Sequence, residues 1–231
     1  MTSTEQMLGM TADSAGNKSL AGATFVKQRF PELVFGPALP GVQDFIVENT
    51  RFENCVIQAG MFYVFDGVIL RNVVFDNVSS ADAFTISTRA VLDHVIVSGS
   101  PKRGGLWVKP FETRDHAQQH ALGDWLLRIH SRIDVMLDIS SYRGPEVEIV
   151  GLPPEKIVID PERHFVVRRE WKDSIDWKEL SIPPTGFIRT RLVRLQLFKA
   201  AAGIYDRPSK GEENYGEAMK EFAQLREIGV L

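Results

Sequence analysis

Four side chains at four-residue spacing, Glu112, His116, His120 and Asp124, come nearest to a metal-binding set. On a helix, residues four apart share a face. A His pair at that spacing can hold a metal ion, with a carboxylate as third ligand. Ala117, Gln118 and Gln119 stand between the histidines, so the glutamate of an H-E-x-x-H helix is absent. The solvated face of an amphipathic helix requires the same spacing, and no cofactor is expected.

Two basic segments follow. Ser98-Gly99-Ser100-Pro101-Lys102-Arg103-Gly104-Gly105 is a loop whose amides could cradle phosphate. It lacks the G-x-x-x-x-G-K-[ST] pattern, and a turn between strands is the plainer account. Arg189, Arg191, Arg194 and Lys199, preceded by Arg168 and Arg169, would suit an acidic partner. Glu212, Glu213, Glu217 and Glu221 are expected to neutralise them within the molecule. No aromatic row accompanies the basic residues, so nucleic acid is not an expected partner. Cys55 lies in an apolar stretch and is expected to be buried and inert.

The elements that must position these groups are announced by a repeat. Ile46-Val47-Glu48-Asn49 aligns with Ile69-Leu70-Arg71-Asn72 and then with Val91-Leu92-Asp93-His94. Phe62-Tyr63-Val64 aligns with Phe84-Thr85-Ile86 and with Leu106-Trp107-Val108. Phe52, Phe75 and Val97 fall in one column. The turn formers Gly60, Asp82 and Gly104 precede the second set. Two short strands and two turns therefore recur three times across residues 46–109. Such a unit buries its apolar side only when another is stacked on it, which is the logic of a parallel β solenoid. Asn49–Asn72 and Asn54–Asn77 are expected to form side-chain ladders. Glu48, Arg71 and Asp93 are expected to form an outward row of alternating charge.

On Phe52-Glu53-Asn54-Cys55-Val56-Ile57 and on Gly67 to Phe75 the chain resembles right-handed parallel β-helix proteins, including pentapeptide-repeat-like and pectate-lyase-like solenoids. The resemblance is at fold level and covers roughly residues 40–110; strict five-residue spacing fails after Phe62. It implies a right-handed coil and, as one option, a polysaccharide lyase or hydrolase. Glu48, Arg71, Asp93, Asp66 and Arg89 would then line a groove, although sugar hydrolysis needs two carboxyl groups placed across the scissile bond.

The rest of the chain supplies ends and insertions. Met1 to Lys18 is expected to be loosely ordered and is not a secretory signal. Pro31, Pro37 and Pro40 argue for an extended entry segment within about 1–40, forming either a partial first coil or a cap over the solenoid's open end. The expected β-helix covers about 41–169, with a helical insertion at about 112–132. Runs at Val135, Val147, Lys156 and Phe165 are either further coils or a separate sheet. Residues 170–186 are expected to be a linker. Helices Phe187 to Ile204 and Glu212 to Ile228 are expected to pair as a hairpin within about 187–231. The expected fold is therefore mainly β: a parallel β-helix of short coils, an inserted helix and a C-terminal helical hairpin.

The 231 residues carry a net charge of −3 and are 44% hydrophobic, which excludes a disordered or collagen-like chain. No apolar run is long enough to cross a bilayer. A single cysteine agrees with a reducing cytoplasm. The function expected is a non-enzymatic, adaptor- or immunity-like interaction scaffold, cytoplasmic and by analogy bacterial. Glu48, Arg71, Asp93, Lys102 and Arg103 are its expected binding residues. Its partner would be another protein, with self-association through the C-terminal helices as a variant. The alternatives are the polysaccharide enzyme and a metal-binding protein using His116 and His120.

Overall fold

A computed structural model describes residues 3–39, 42–58, 60–111 and 116–231, with backbone alone at 116–121 and 124. The chain begins with α1 (Thr4–Leu8), closed by a Ser3/Gln6 capping box, and β1 (Thr11–Ala12). The segment expected to be loose is thus ordered, because its Ser and Gln satisfy the free amides of the first turn.

Four coils follow. The first is β2 (Lys18–Ala21), β3 (Thr24–Val26), β4 (Arg29–Phe30) and β5 (Leu33–Phe35). The second is β6 (Phe45–Glu53), β7 (Val56–Ile57) and β8 (Phe62–Val64). The third is β9 (Ile69–Asp76), β10 (Ser79–Ser80) and β11 (Phe84–Ser87), and the fourth β12 (Val91–Asp93), β13 (Val95–Ser98) and β14 (Leu106–Lys109). After α2 (His116–His130) come β15 (Leu137–Asp138) and β16 (Val147–Val150), then β17 (Ile157–Val158). Strands of successive coils pair in parallel through to β17, so the solenoid continues beyond the inserted helix. The first coil lies inside the N-terminal segment, which thus takes the first-coil option.

The expected register is the observed one. Ile46, Ile69 and Val91 pair in sequence, as do Phe52, Phe75 and Val97, and Phe62, Phe84 and Leu106. Phe25, Phe52 and Phe75 stack with centroids 5.0 and 5.2 Å apart, and Phe62 stacks on Phe84 at 3.7 Å. Within β6, Phe45 and Val47 face inward, and so do Thr50 and Phe52. Asn49 shifts the alternation by one residue, in the manner of a bulge, at a φ of 48°. Asn72 and His94 repeat this positive φ in the next coils. Asn54, Asn77 and Gly99 form a second left-handed column. Asn tolerates this conformation better than most residues. Asn72 Nδ2 donates to Asn49 Oδ1 at 3.1 Å and Asn77 Nδ2 to Asn54 Oδ1 at 2.7 Å. At Gly99 a Cβ would lie 2.6 Å from the Asn77 backbone, so closeness as well as φ excludes other residues.

The two ends are sealed differently. At the first, β1 pairs antiparallel with β2, and Thr4 Oγ1 accepts from the Val34 amide on edge strand β5 at 2.9 Å. At the second lie β18 (His164–Arg168), α3 (Trp171–Ser174), α4 (Phe187–Leu197), β19 (Ala202–Asp206) and α5 (Tyr215–Glu227). Strand β19 runs antiparallel between β16 and β18. The hairpin is therefore helix–strand–helix, and the helix expected to reach Ile204 stops at Leu197. Lys199 takes a φ of 52°, and Gly203 fits under Leu195, Tyr205 and the Ile149 carbonyl, where a Cβ would meet atoms at 2.9–3.1 Å. Sheet pairing on both sides overrides the helical tendency of Ala200–Ala202. Residues 170–186 are no linker, for Trp171, Ile175, Trp177 and Ile182 join Phe187 and Phe222 in a second core. No helix among the described residues is long and apolar enough to cross a membrane.

Candidate functional site

The expected binding residues occupy two places. Arg71, on β9, reaches Glu48 on β6 at 3.4 Å and Asp93 on β12 at 3.2 Å. Asp93 also contacts His94, at 2.8 Å. The row is outward and mutually paired, as its register requires. Asp66 and Arg89 approach at 3.6 Å, and the Ser87 hydroxyl donates to Asp66. Lys102 and Arg103 are exposed on the loop joining β13 to β14, a corner apart from that row. The Gly99 amide of this loop is already used, donating to the Ser141 carbonyl at 3.2 Å. The side chains of His116 and His120, like Glu112 and Asp124, lie outside the described residues. Among the described residues no cluster of three or more His, Cys, Asp or Glu could hold a metal. Cys55 is buried, and burial raises its thiol pKa, which suppresses the reactive thiolate.

Among the described residues the arginines of α4 make no direct ion pair with α5, although Glu212 and Glu221 act on Arg191 through space. Arg194 instead holds Glu148 of β16 with two hydrogen bonds of 2.8 Å. Arg189 donates to the Ile182 carbonyl at 3.0 Å. Glu221 of α5 accepts the Phe187 and Ile188 amides at 2.8 and 2.9 Å, capping α4 from a distant helix. Arg191 donates to the Phe187 carbonyl and to Thr190 Oγ1, both at 3.1 Å, with its guanidinium carbon 3.6 Å above the Phe187 ring.

Between β16, β19 and α4 opens a cleft of about 380 Å³. Register places Trp107, Glu148 and Tyr205 side by side across β14, β16 and β19 to form its floor. Arg191 and Arg194 form one wall, and Glu146 and Asp206 the other. Lys109 sits with its ammonium 4.3 Å over the Trp107 ring.

Asp206 is the unusual group. Its carboxylate accepts the Val147 amide and lies 3.4 Å from Nε2 of His164, whose ring is fully buried. Burial raises its pKa to about 7, and burial lowers that of His164 to about 4. Burial also raises the Tyr205 hydroxyl and lowers the Arg191 guanidinium. Perturbed groups meeting in a cleft mark a functional site. Of these residues only Arg191 and Arg194 stood out in the sequence. The one available signal for the floor was Glu148 within the apolar run Val147–Val150, an outward charge where the solenoid should be sealed. No family model, no curated protein and no solved structure matches this chain.

Proposed function

We propose that the protein is a non-enzymatic scaffold that binds another protein at the cleft between β16, β19 and α4. The carrying observation is that the inner carboxylates are committed. Glu148 is held at both oxygens by Arg194, and Asp206 takes the Val147 amide. Glycoside hydrolysis requires one carboxyl group to protonate the leaving oxygen and a second to serve water or the sugar. Two carboxylates spent on structure are poorly placed for that work. The remaining lining, Trp107, Tyr205 and the two arginines, is of the kind that anchors protein interfaces. The stacked coils supply rigidity, and the paired row Glu48–Arg71–Asp93 belongs to that frame.

Affinity capture from the native cell tests the reading, with Trp107→Ala and Arg71→Ala variants in parallel. A stoichiometric partner lost from Trp107→Ala and retained by Arg71→Ala is the expected result. Cleavage of a glycan panel without any stoichiometric partner would reverse it in favour of a carbohydrate enzyme.

A further inference from the structure

We propose that Arg191 is a carboxylate receptor, taking a single Asp or Glu side chain of the partner; this rests on the binding reading above. Arg191 is fixed before any ligand arrives. One nitrogen is tied to the Phe187 carbonyl and Thr190 Oγ1, and the plane rests on the Phe187 ring. A guanidinium held this way loses little freedom on forming a two-point contact with a planar acid. Unlike Arg194, it forms no ion pair among the described residues. Glu148, Glu212 and Glu221 act on it through space without direct contact, so a carboxylate arriving at the guanidinium would make its first two-point ion pair.

The surrounding charges define the ligand. Arg194 neutralises Glu148, and Lys109 adds a positive charge over Trp107. Glu146 is exposed on the opposite wall. A single carboxylate brings one charge to the guanidinium, whereas a phosphate dianion would be repelled more strongly by Glu146, Glu148 and Asp206. The volume of about 380 Å³ admits a side chain with its flanking backbone. Trp107 and Tyr205 give that backbone an apolar bed.

The test uses the full chain labelled with ¹⁵N, following the tryptophan indole N–H signals, with Trp107 assigned by Trp107→Phe. The probes are the capped peptide acetyl-Gly-Glu-Gly-amide, its neutral counterpart acetyl-Gly-Gln-Gly-amide, and inorganic phosphate. The acidic peptide is expected to shift the Trp107 signal saturably while the neutral one does not. Arg191→Gln should weaken binding roughly 10-fold or more, and Arg191→Lys several-fold, since an ammonium lacks the fork. The other tryptophan signals report that each variant is folded. Should Arg191→Gln unfold, Arg191→Lys decides the matter. Equal shifts from both peptides, binding unchanged in the variants, or phosphate binding as tightly as the acidic peptide would each overturn the assignment. If the peptide fails while capture remains sensitive to Trp107→Ala, Arg191 loses its role and the scaffold stands; if capture fails too, both fall.

Discussion

The coils from Lys18 to Val158 and the closing end from His164 to Leu231 are held together by opposite means. In the coils, like sits on like: Phe52 on Phe75, Asn49 on Asn72, Phe62 on Phe84. Charged groups stay outside, paired in rows. In the closing end no contact is repeated. Single polar contacts decide the geometry: Glu221 on two amides of α4, Arg194 on Glu148, Asp206 on Val147. Repetition confers tolerance, since each layer is backed by the next. Singular buried contacts confer definition, and each is costly to lose. The cleft lies where the two regimes meet.

Five tests probe this contrast, from the largest expected effect to the smallest. Phe75→Ala should cost about 3–5 kcal/mol, because the ring is fully enclosed between coils. Urea unfolding should show coils and closing end lost together. Glu221→Ala should cost about 2–3 kcal/mol by orphaning two buried amides. Hydrogen exchange should then rise in α4 while β6 and β9 remain protected; equal loosening of both would erase the contrast.

Asp206 and His164 test the closing end through pH. Free Asp titrates near 3.9 and free His near 6.5. Between about pH 4 and 6.5 the unfolded pair carries one proton on His, and the folded pair carries one on Asp206. Folding then moves a proton without gaining or losing one, so this pair gives no slope. Asp206→Asn leaves a His that is protonated only when unfolded, and stability should rise with pH across that window. His164→Gln leaves an acid protonated only when folded, and stability should fall from about pH 4 to 7. Each swing is read as urea midpoints against pH. Slopes of the same sign in the two variants would refute the pairing.

Asn77→Ala should cost about 1–2 kcal/mol, since alanine resists the left-handed region, and Asn77→Gly should recover part of it. Arg71→Ala should change the thermal midpoint least, by less than about 1 kcal/mol, because its partners Glu48 and Asp93 are solvated.

The same contrast explains what was legible beforehand. Stacked coils impose the same demand at every 22nd or 23rd position. Val47, Leu70 and Leu92, and the asparagine ladders, could therefore be placed residue for residue. The first coil could be read only as one of two options, because its partners lie 27 to 29 residues away, outside the 22- or 23-residue period. The closing end escaped for another reason. Trp107, Glu148, Arg191 and Tyr205 come from four separate stretches, brought together by one parallel pair, one antiparallel pair and a helix packed beside them. A contact made once leaves no period to detect. Ala-Ala-Gly at 201–203 shows the local conflict: its composition suits a helix, and only its neighbours make it a strand.

The left-handed columns at Asn49/Asn72 and Asn54/Asn77 carry one more consequence. Because every turn of the winding bends at the same two places, a duplicated 22-residue unit would slot between its templates like an extra washer on a bolt. Each such addition would carry the mouth formed with α4 about 4.8 Å farther from α1. The protein thus has a built-in ruler, and its length could be reset by gene duplication while both fittings stayed unaltered.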